Sequence, residues 1–270
     1  MHRLQKAVVL CWLAVTIQAV AGQEPLWELG LGVAGLSMPD YRGSDERGGY
    51  VFPFPYVVYR GTFLQIDREK VRGLFYTGER SEWDISLGAT VPVRSEDNSA
   101  RKGMSDLDPT VEIGPQWSYK LIRNGKEMTL RLPVRRVFAV DFHNFRDVGT
   151  VVTPTLAVDW QDEPWRGWKP SVSTGPVFGD RDYVRYFYGV AADEATPTRA
   201  AWKAQGGYGG WQLTATLTKR FHDFWIGGFL RGDYLEESVF EDSPLVRREF
   251  SWMGGFGVAW VFAQSDEDAP

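Results

Sequence analysis

One stretch near the end of the chain, Ser251 to Phe262, constrains the fold more than any other. Read with a period of two, it separates into a bulky apolar row and a row of small residues. The bulky row holds Trp252, Gly254, Phe256, Val258, Trp260 and Phe262. Because successive strand side chains point to opposite faces, the stretch predicts a β-strand with two unlike faces. Such faces are typical of a strand with lipid outside and a packed or wet lumen inside.

The same strand ends in a pattern, Gly257, Trp260 and Phe262, that resembles the terminal signal read by the outer-membrane β-barrel assembly machinery. That signal usually ends the chain, whereas here an acidic tail, residues 265–270, follows. We therefore expect the assembly machinery to be a partner and the aromatic residues to matter more for assembly than the tail.

The chain begins with the features of a secretory signal peptide. A basic start precedes an uncharged apolar run from Ala7 to Val15, and an A-x-A cleavage site ends at Ala21. A membrane anchor would need about 20 apolar residues. Because the only cysteine, Cys11, lies in this run, the mature chain would have no disulfide, thiol nucleophile or cysteine-bound zinc. The predicted division is a signal peptide at 1–21, a barrel at 22–264 and the tail at 265–270.

Composition excludes several classes of protein. The mean hydropathy is −0.29, and no later segment has the roughly 18 continuous apolar residues of a spanning helix. Spanning barrel strands remain possible because they alternate, and 12 tryptophans suit interfacial aromatic girdles. The net charge of −5, with both signs dispersed, argues against a nucleic-acid partner. No spacing of histidines suggests a metal site, so no cofactor is expected.

About twelve alternating segments follow one another along the chain, and their connections tend to alternate between long and short. An even strand number places both termini on one side, with short turns there and longer loops opposite. A soluble barrel would not require that asymmetry. The prediction is an all-β, antiparallel, up-and-down transmembrane β-barrel of about twelve strands, located in the outer membrane with both termini periplasmic.

Three local expectations accompany this fold. Pro53 and Pro55 lack a ladder donor, so the second strand should be irregular or bulged. Residues 179–206 form the longest irregular segment, which suits an outer loop. Residues 141–148 are predicted to form another loop.

A motif near the start of the mature chain comprises Pro39, Tyr41, Gly43, Ser44, Pro53, Pro55, Tyr59, Arg60 and Gly61. Together with the glycines of the first strand and the closing strand, it resembles the MipA/OmpV outer-membrane family, and the resemblance extends over nearly the whole mature chain. The resemblance implies a protein of the Gram-negative cell envelope that interacts with a lytic transglycosylase. It would act as a scaffold linking murein hydrolases to murein synthases. Members are also associated with osmotic or antibiotic responses and with adhesion.

The motif also has an interpretation from its residues alone. Gly43 and Ser44 are turn formers, and Asp45 or Glu46 is expected to pair with Arg42 or Arg47. The residues are then predicted to shape the first outer loop and to plug or brace the lumen. A binding role is the alternative.

Candidate catalytic residues are few. His143, with Asp141 and Asp147 nearby, is expected to be a solvated loop histidine, because general-base catalysis needs a positioned partner. His222 falls in a predicted periplasmic turn, and no G-x-S-x-G motif occurs. The chain is therefore not expected to be an enzyme.

Several arginines are candidates for a charged lumen wall or for contacts with lipopolysaccharide phosphates. Arg131 and Arg135 share one face, whereas Arg136 should lie near an interface or face inward, because a lipid-facing arginine at the midplane costs about 2–4 kcal/mol. Bracing salt bridges and an ion-selective path both remain open. The full set is Arg131, Arg135, Arg136, Arg181 and Arg185.

The scaffold is the first functional hypothesis; a narrow channel or small-solute transporter and a surface adhesin are the alternatives. A murein enzyme beneath the outer membrane reaches only the periplasmic turns. The best candidate contact is the turn with Asp162, Glu163, Trp165 and Arg166, since Trp and Arg often anchor interfaces. A girdle tryptophan among solvated charges is the alternative for this turn.

Overall fold

The computed structural model describes residues 24–61, 64–66, 71–73, 76–123, 126–141, 144–160 and 166–269. The strands within these ranges are β1 (Trp27–Pro39), β2 (Arg47–Arg60), β3 (Leu64–Ile66), β4 (Val71–Gly73), β5 (Tyr76–Thr77), β6 (Ser81–Ala89), β7 (Thr110–Arg123), β8 (Lys126–Asp141), β9 (Asn144–Val152), β10 (Thr155–Trp160), β11 (Trp168–Gly179), β12 (Gly207–Phe221), β13 (Phe224–Tyr234) and β14 (Phe250–Gln264). One helix, α1 (Arg181–Tyr188), and a 3-10 turn at Ser95–Asp97 complete the described elements.

All strands belong to one antiparallel sheet in which chain neighbours are mostly sheet neighbours. Its order is β4-β3-β2-β1-β14-β13-β12-β11-β10-β8-β7-β6-β5, and β9 pairs with β8 and β11. The first and last strands pair directly, with Gly32 opposite Ala259. The order begins with β4 and ends with β6 and β5, and Cα atoms of β4 lie within 8 Å of Cα atoms of β6. The predicted all-β, antiparallel, up-and-down architecture is confirmed.

The sheet has two distinct ends. The terminal end carries the beginning of β1 and the end of β14, where Leu26 N–H donates to Glu267 O at 2.8 Å and Ala269 N–H donates to Glu24 O at 2.8 Å. The loop end carries four longer connections, residues 40–46, 90–109, 180–206 and 235–249. The predicted asymmetry between short and long connections is therefore present, and residues 265–269 hydrogen-bond to residues 24–27.

The two rows of the closing strand face different surroundings, as the alternation predicts. Phe256 is 69% exposed and Trp260 is 54% exposed, whereas Ala259 is 1% exposed. The outward rows of the other long strands likewise expose Leu, Val, Phe and Trp side chains. A continuous apolar exterior of this kind suits lipid rather than water.

The expected strand number agrees with the sheet once its short segments are grouped. β9 and β10 pair with the same two neighbours and are separated only by Thr153 and Pro154. Grouping this pair leaves thirteen strand segments among the described residues, including the short segments β3, β4 and β5, which is close to the expected number of about twelve.

The second strand corrects one local expectation. β2 keeps an unbroken register with β1 from Trp27 opposite Tyr59 to Pro39 opposite Arg47. Pro53 and Pro55 therefore cause no bulge. In this part of the strand β2 pairs only with β1 among the described residues, and proline is tolerated at a strand edge.

Two predicted loops contain regular structure. Residues 141–148 lie mostly in a hairpin, because β8 ends at Asp141 and β9 begins at Asn144. The segment 179–206 contains α1, whose N-cap Asp180 accepts a hydrogen bond from Tyr183 N–H at 2.9 Å. Among the described residues, no helix has the length and hydropathy to cross a membrane.

The closing strand generates a prediction about assembly. Trp260 and Phe262 lie on the outward row with ring centroids 5.6 Å apart, and both are more than half exposed. Phe262→Ala should lower the amount of folded, heat-modifiable protein in the outer membrane severalfold, because it removes the outward aromatic of the predicted assembly signal. Deletion of 265–270 should leave that amount near normal. The reverse order of effects would mean that the signal lies in the tail.

Candidate functional site: the loop cap and the lumen beneath it

The four long connections at the loop end pack into one hydrophobic cluster, which we call the cap. Every connection contributes buried side chains, so the cap is a tertiary unit rather than a set of separate loops. A shared apolar core orders loops that their short polar segments alone would leave mobile. The buried members are Tyr41, Val93, Ala100, Leu107, Val184, Phe187, Tyr188, Val190, Ala204, Leu235, Phe240 and Leu245.

Gly43 fixes the shape of the first connection. Its φ of +90° lies in the left-handed region, which glycine enters without steric cost. A Cβ there would meet Leu235 Cδ1 at 3.0 Å. The Gly43 carbonyl accepts from Arg247 N–H at 2.7 Å and Arg248 N–H at 3.0 Å. The turn therefore joins the first connection to the fourth.

Tyr188, the last residue of α1, lies at the centre of the cap. Its ring stacks on Phe240 with centroids 3.8 Å apart and an interplanar angle of 7°. Its hydroxyl donates to Arg42 O at 3.0 Å, and its own carbonyl accepts from Ser243 Oγ at 2.8 Å. Tyr41 meets the Tyr188 ring edge-on and donates to Leu245 O at 2.9 Å. One residue thus ties the third connection to the first and fourth.

The second connection is held by buried polar side chains. Asn98, fully buried, donates to Asp40 Oδ2 at 2.8 Å and Ser44 Oγ at 3.1 Å. Arg101 donates to Phe187 O at 3.2 Å, and Arg199 donates to Ala100 O at 3.0 Å. These donors satisfy loop carbonyls that burial would otherwise leave unpaired.

Arg42 links the cap to the barrel wall. Its Nε lies 2.9 Å from Asp233 Oδ1 on β13, and Arg231 Nη2 approaches the same oxygen at 2.7 Å. Asp45 and Glu46, the expected partners of Arg42, form no ion pair with it. Asp45 is exposed, and the Glu46 carboxylate accepts from Ser99 N–H at 2.8 Å. The expectation of a local pair was wrong, because the carboxylate that enters the lumen comes from β13.

Arg47 also has a different partner from the one expected. Its guanidinium lies 3.9 Å from the centroid of the Trp252 ring and donates to Trp252 O at 2.8 Å. The first connection is therefore ordered by contacts with β14 and with the cap.

Inward-facing side chains form ion pairs along the lumen wall. Arg135 Nε lies 2.9 Å from Glu112 Oε2, and Arg131 Nη2 lies 3.3 Å from Asp159 Oδ2. Both arginines face inward, as their shared parity predicts. Arg136 points outward near the loop end, where it donates to Asp147 and to Thr150 Oγ1 at 2.8 Å. Lumen charges that pair with each other brace the wall.

A cavity of about 320 Å³ lies between the cap and this charged wall. Arg42, Arg231 and Asp233 line it on one side, and Glu112 with Arg135 lines it on another. Side chains of the cap, including Tyr183 and Phe187, form its roof. The apolar part of its lining includes Leu87, Val91, Val93, Leu107, Val151 and Val177.

The terminal end holds a second concave region, of about 290 Å³. Arg60 lies 2.8 Å from Glu24 Oε2 and 2.6 Å from Glu28 Oε1, and Arg220 Nε lies 3.3 Å from Glu28 Oε2. Lys169 and Lys219 also line the region. Cations outnumber carboxylates among the residues that line this region.

The predicted motif residues divide between the two ends. Pro39, Tyr41, Gly43 and Ser44 lie in or beside the cap and are buried. Pro53 and Pro55 lie on the outward row of β2, whereas Tyr59, Arg60 and Gly61 lie at the terminal end. The motif therefore marks both ends of one hairpin rather than a single site.

The residues of the predicted assembly signal lie on both faces of β14. Trp260 and Phe262 point outward, and Gly257 is buried on the inward row, where a Cβ would lie 3.3 Å from Phe54. Asp162, Glu163 and Trp165 lie outside the described residues, as do the signal peptide and His143. Arg166 is exposed with φ +50°, and its carbonyl accepts from Lys219 Nζ at 2.7 Å.

Other candidates from the sequence occupy exposed positions. Arg181 and Arg185 both project from α1 toward solvent rather than into the lumen, and Arg185 pairs with Asp182 at 3.0 Å. His222 lies in the exposed turn between β12 and β13. Among the described residues, no cluster of three or more His, Cys, Asp or Glu side chains is arranged to hold a metal ion.

Sequence reasoning missed α1 and the partner of Arg42. The signal for α1 was present: an N-cap aspartate, Asp180, precedes apolar residues Val184, Phe187 and Tyr188 at helical spacing. The pairing of Arg42 with Asp233 had no sequence signal, because 191 positions separate the two residues.

The family model described as MltA-interacting protein MipA matches residues 31–262. The chain belongs to this family. It is an outer-membrane protein with a β-barrel fold. The prediction that both termini are periplasmic would place the cap on the outer side. The family is not known as an enzyme family. No curated protein matches the chain.

Solved structures with similar folds are remote in sequence. A bacterial polysaccharide outer membrane secretin is 9% identical, with a TM-score of 0.43, over 87% of this chain and 99% of its own. A Pseudomonas aeruginosa FadL homologue is 10% identical, with a TM-score of 0.36, over 90% of this chain and 73% of its own. Outer membrane phospholipase A from Escherichia coli is 9% identical, with a TM-score of 0.34, over 88% of this chain and 94% of its own. None of these likenesses extends to function.

The buried cap tyrosines generate a pH prediction. Burial raises the pKa of Tyr41 and of Tyr183 to about 12, against about 10 for tyrosine in water. Folding favours their neutral form, so this contribution to stability is intact below pH 10 and is lost as pH rises from about 10 through 12. Absorbance at 295 nm should show a late ionisation phase near pH 12 that Tyr183→Phe diminishes. A single transition near pH 10 would contradict a packed cap.

Proposed function

We propose that this outer-membrane protein is an interaction scaffold that holds murein hydrolases, and with them murein synthases, at the periplasmic face of the outer membrane. The family description, MltA-interacting protein, supports the proposal. The structural observation that carries it is the cap, whose hydrophobic core lies across the outer end of the lumen. A barrel packed in this way is better suited to presenting a surface than to conducting solutes.

The periplasmic end is suited to that surface. Its first and last segments are bonded to each other, from Ser265 N–H to Trp27 O at 3.0 Å and from Leu26 N–H to Glu267 O. Arg60 adds a side-chain clamp by donating to Pro25 O at 2.7 Å. A surface held in place by such bonds loses little entropy when a partner binds. Arg166, the described member of the predicted contact residues, accepts a hydrogen bond through its carbonyl from Lys219, which lines this end.

Partner capture tests the proposal. The variant Asp162→Lys, Glu163→Lys, Trp165→Ala should reduce recovery of murein hydrolases from envelope extract by about tenfold, the loss expected for a moderate interface hot spot. The barrel should remain folded, because the changes lie in a turn. Recovery is measured by mass spectrometry after pull-down, and folding is measured by heat-modifiability on gels.

The control places equal changes on the outer side. Asp193 is the natural choice there, but its neighbour Glu194 accepts from Ala191 N–H at 3.0 Å and shapes the cap. A matched control therefore combines Asp193→Lys with Glu96→Lys and Phe145→Ala, three exposed positions near the loop end. If the control abolished capture and the turn variant did not, the protein would be a surface receptor or adhesin instead.

A narrow channel is the second candidate, favoured by the polar lumen wall and the cavity beneath the cap. The packed core of the cap argues against a conducting path. Purified protein in planar bilayers should show no single-channel steps under conditions in which an open porin conducts. Regular steps would establish a conducting path and would favour the transporter.

A further inference from the structure

Aromatic side chains mark both ends of the outward row of β14. Trp252 and Trp260 are each about half exposed, and the stretch 252–260 holds nine residues. A tilted strand needs about 9–11 residues to cross a membrane, and aromatic rings collect at the two interfaces. Exposed Phe250, the next residue on this row toward the cap, pairs with exposed Tyr234 of β13. Trp252 therefore lies at the membrane interface nearest the cap.

Arg47 is fixed at this interface by contacts with two neighbouring strands. It lies at the start of β2, opposite Pro39 of β1, and its side chain reaches across β1 to β14. There the guanidinium lies 3.9 Å from the centroid of the Trp252 ring, and Nη1 donates to Trp252 O at 2.8 Å. Nη2 donates to Ser37 Oγ at 3.3 Å. A guanidinium has five N–H donors, so three remain for a ligand, and the side chain is exposed.

The neighbours of Arg47 at this level of the sheet are uncharged. Pro39 lies opposite it on β1, and Trp252 on β14 pairs with Gly232 on β13, which in turn pairs with Leu213 on β12. Among the described residues, Arg47 forms no ion pair. A cation without a counter-ion at a membrane interface attracts an anionic lipid head group.

Arg248 supplies a second cation closer to the cap. Its backbone N–H donates to the carbonyl of Gly43, four residues before Arg47, at 3.0 Å. Its side chain is exposed and forms no ion pair among the described residues. The exposed carboxylates nearest in sequence lie, like Arg248, beyond the strand ends: Asp45, Glu236 and Glu249. Two cations at different levels suit a head group that carries more than one phosphate.

A shallow depression lies on the membrane side of Arg47. Its floor is the next row of the sheet, in which Ser37 of β1 pairs with Gly49 of β2 and with Gly254 of β14. A Cβ added at Gly49 would meet no heavy atom within 4 Å. Exposed Phe256 projects from the following row and bounds the depression. There is therefore room for the sugar or acyl groups of a lipid directly beneath the guanidinium.

We propose that this face binds lipopolysaccharide, with one phosphate of its lipid A on Arg47 and a second near Arg248. Guanidinium groups bind phosphate through paired, charge-assisted hydrogen bonds. A phosphate monoester, as in lipid A, carries about −1.5 to −2 charges at pH 7, more than the diester of a phospholipid, so two arginines favour lipid A. The face meets the outer leaflet when the termini are periplasmic, the orientation on which the proposed function also rests. It is otherwise independent of the scaffold role.

Lipid A tests the proposal with the purified mature protein in detergent. Native mass spectrometry should show bound lipid A at about tenfold lower lipid concentration than dephosphorylated lipid A or phosphatidylglycerol. Arg47→Gln should lower the affinity for lipid A about tenfold, as expected for the loss of a charged hydrogen bond. Arg47→Lys keeps the charge but loses the planar donor fork, so it should lower the affinity less. The matched control is Arg181→Gln, at an exposed arginine of α1, and it should leave binding unchanged.

Gly49→Leu tests the depression without altering any charge. The new side chain has space on the protein, so the barrel should fold, and the affinity should fall severalfold because the leucine occupies the place of the lipid. Heat-modifiability checks that each variant is folded.

Four results would overturn the proposal: equal binding of lipid A with and without its phosphates, binding of phosphatidylglycerol as tight as that of lipid A, equal effects of Arg47→Gln and Arg181→Gln, or unchanged binding by Gly49→Leu. No murein enzyme enters these measurements. A failure here therefore leaves the capture of murein hydrolases to be decided by its own experiment.

Discussion

The ion pair between Arg42 and Asp233 is the interaction on which the loop end depends. Asp233 has a nearly fully buried side chain on β13, and a buried carboxylate is tolerated only when cations and hydrogen bonds compensate for its lost hydration. Arg231 supplies one cation from the same strand, and Arg42 supplies the other from the first connection. To place Arg42 there, the chain must turn inward, and the left-handed turn at Gly43 makes this possible. The cap then packs on the turned loop.

The features predictable from sequence are those with a local period. Alternation in Ser251 to Phe262 identified the outward and inward rows, because each side chain's face is determined by its position along its own strand. Tyr41, Gly43 and Ser44 were expected to brace the lumen, and they lie in or beside the cap. The carboxylate that pairs with Arg42 was not predictable. Asp233 is 191 positions from Arg42, and the local sequence offered Asp45 and Glu46 as equally reasonable partners.

Two errors have physical causes that are informative about this fold. The prolines of β2 were expected to make the strand irregular, whereas along that stretch β2 pairs only with β1 among the described residues, so their missing N–H groups leave the register intact. The helix α1 was overlooked because its signal, an N-cap aspartate followed by apolar residues at helical spacing, covers only eight residues of the longest irregular segment. Tertiary packing of Val184, Phe187 and Tyr188 stabilises it instead. In both cases the local structure depends on the elements that pair with the segment or pack against it.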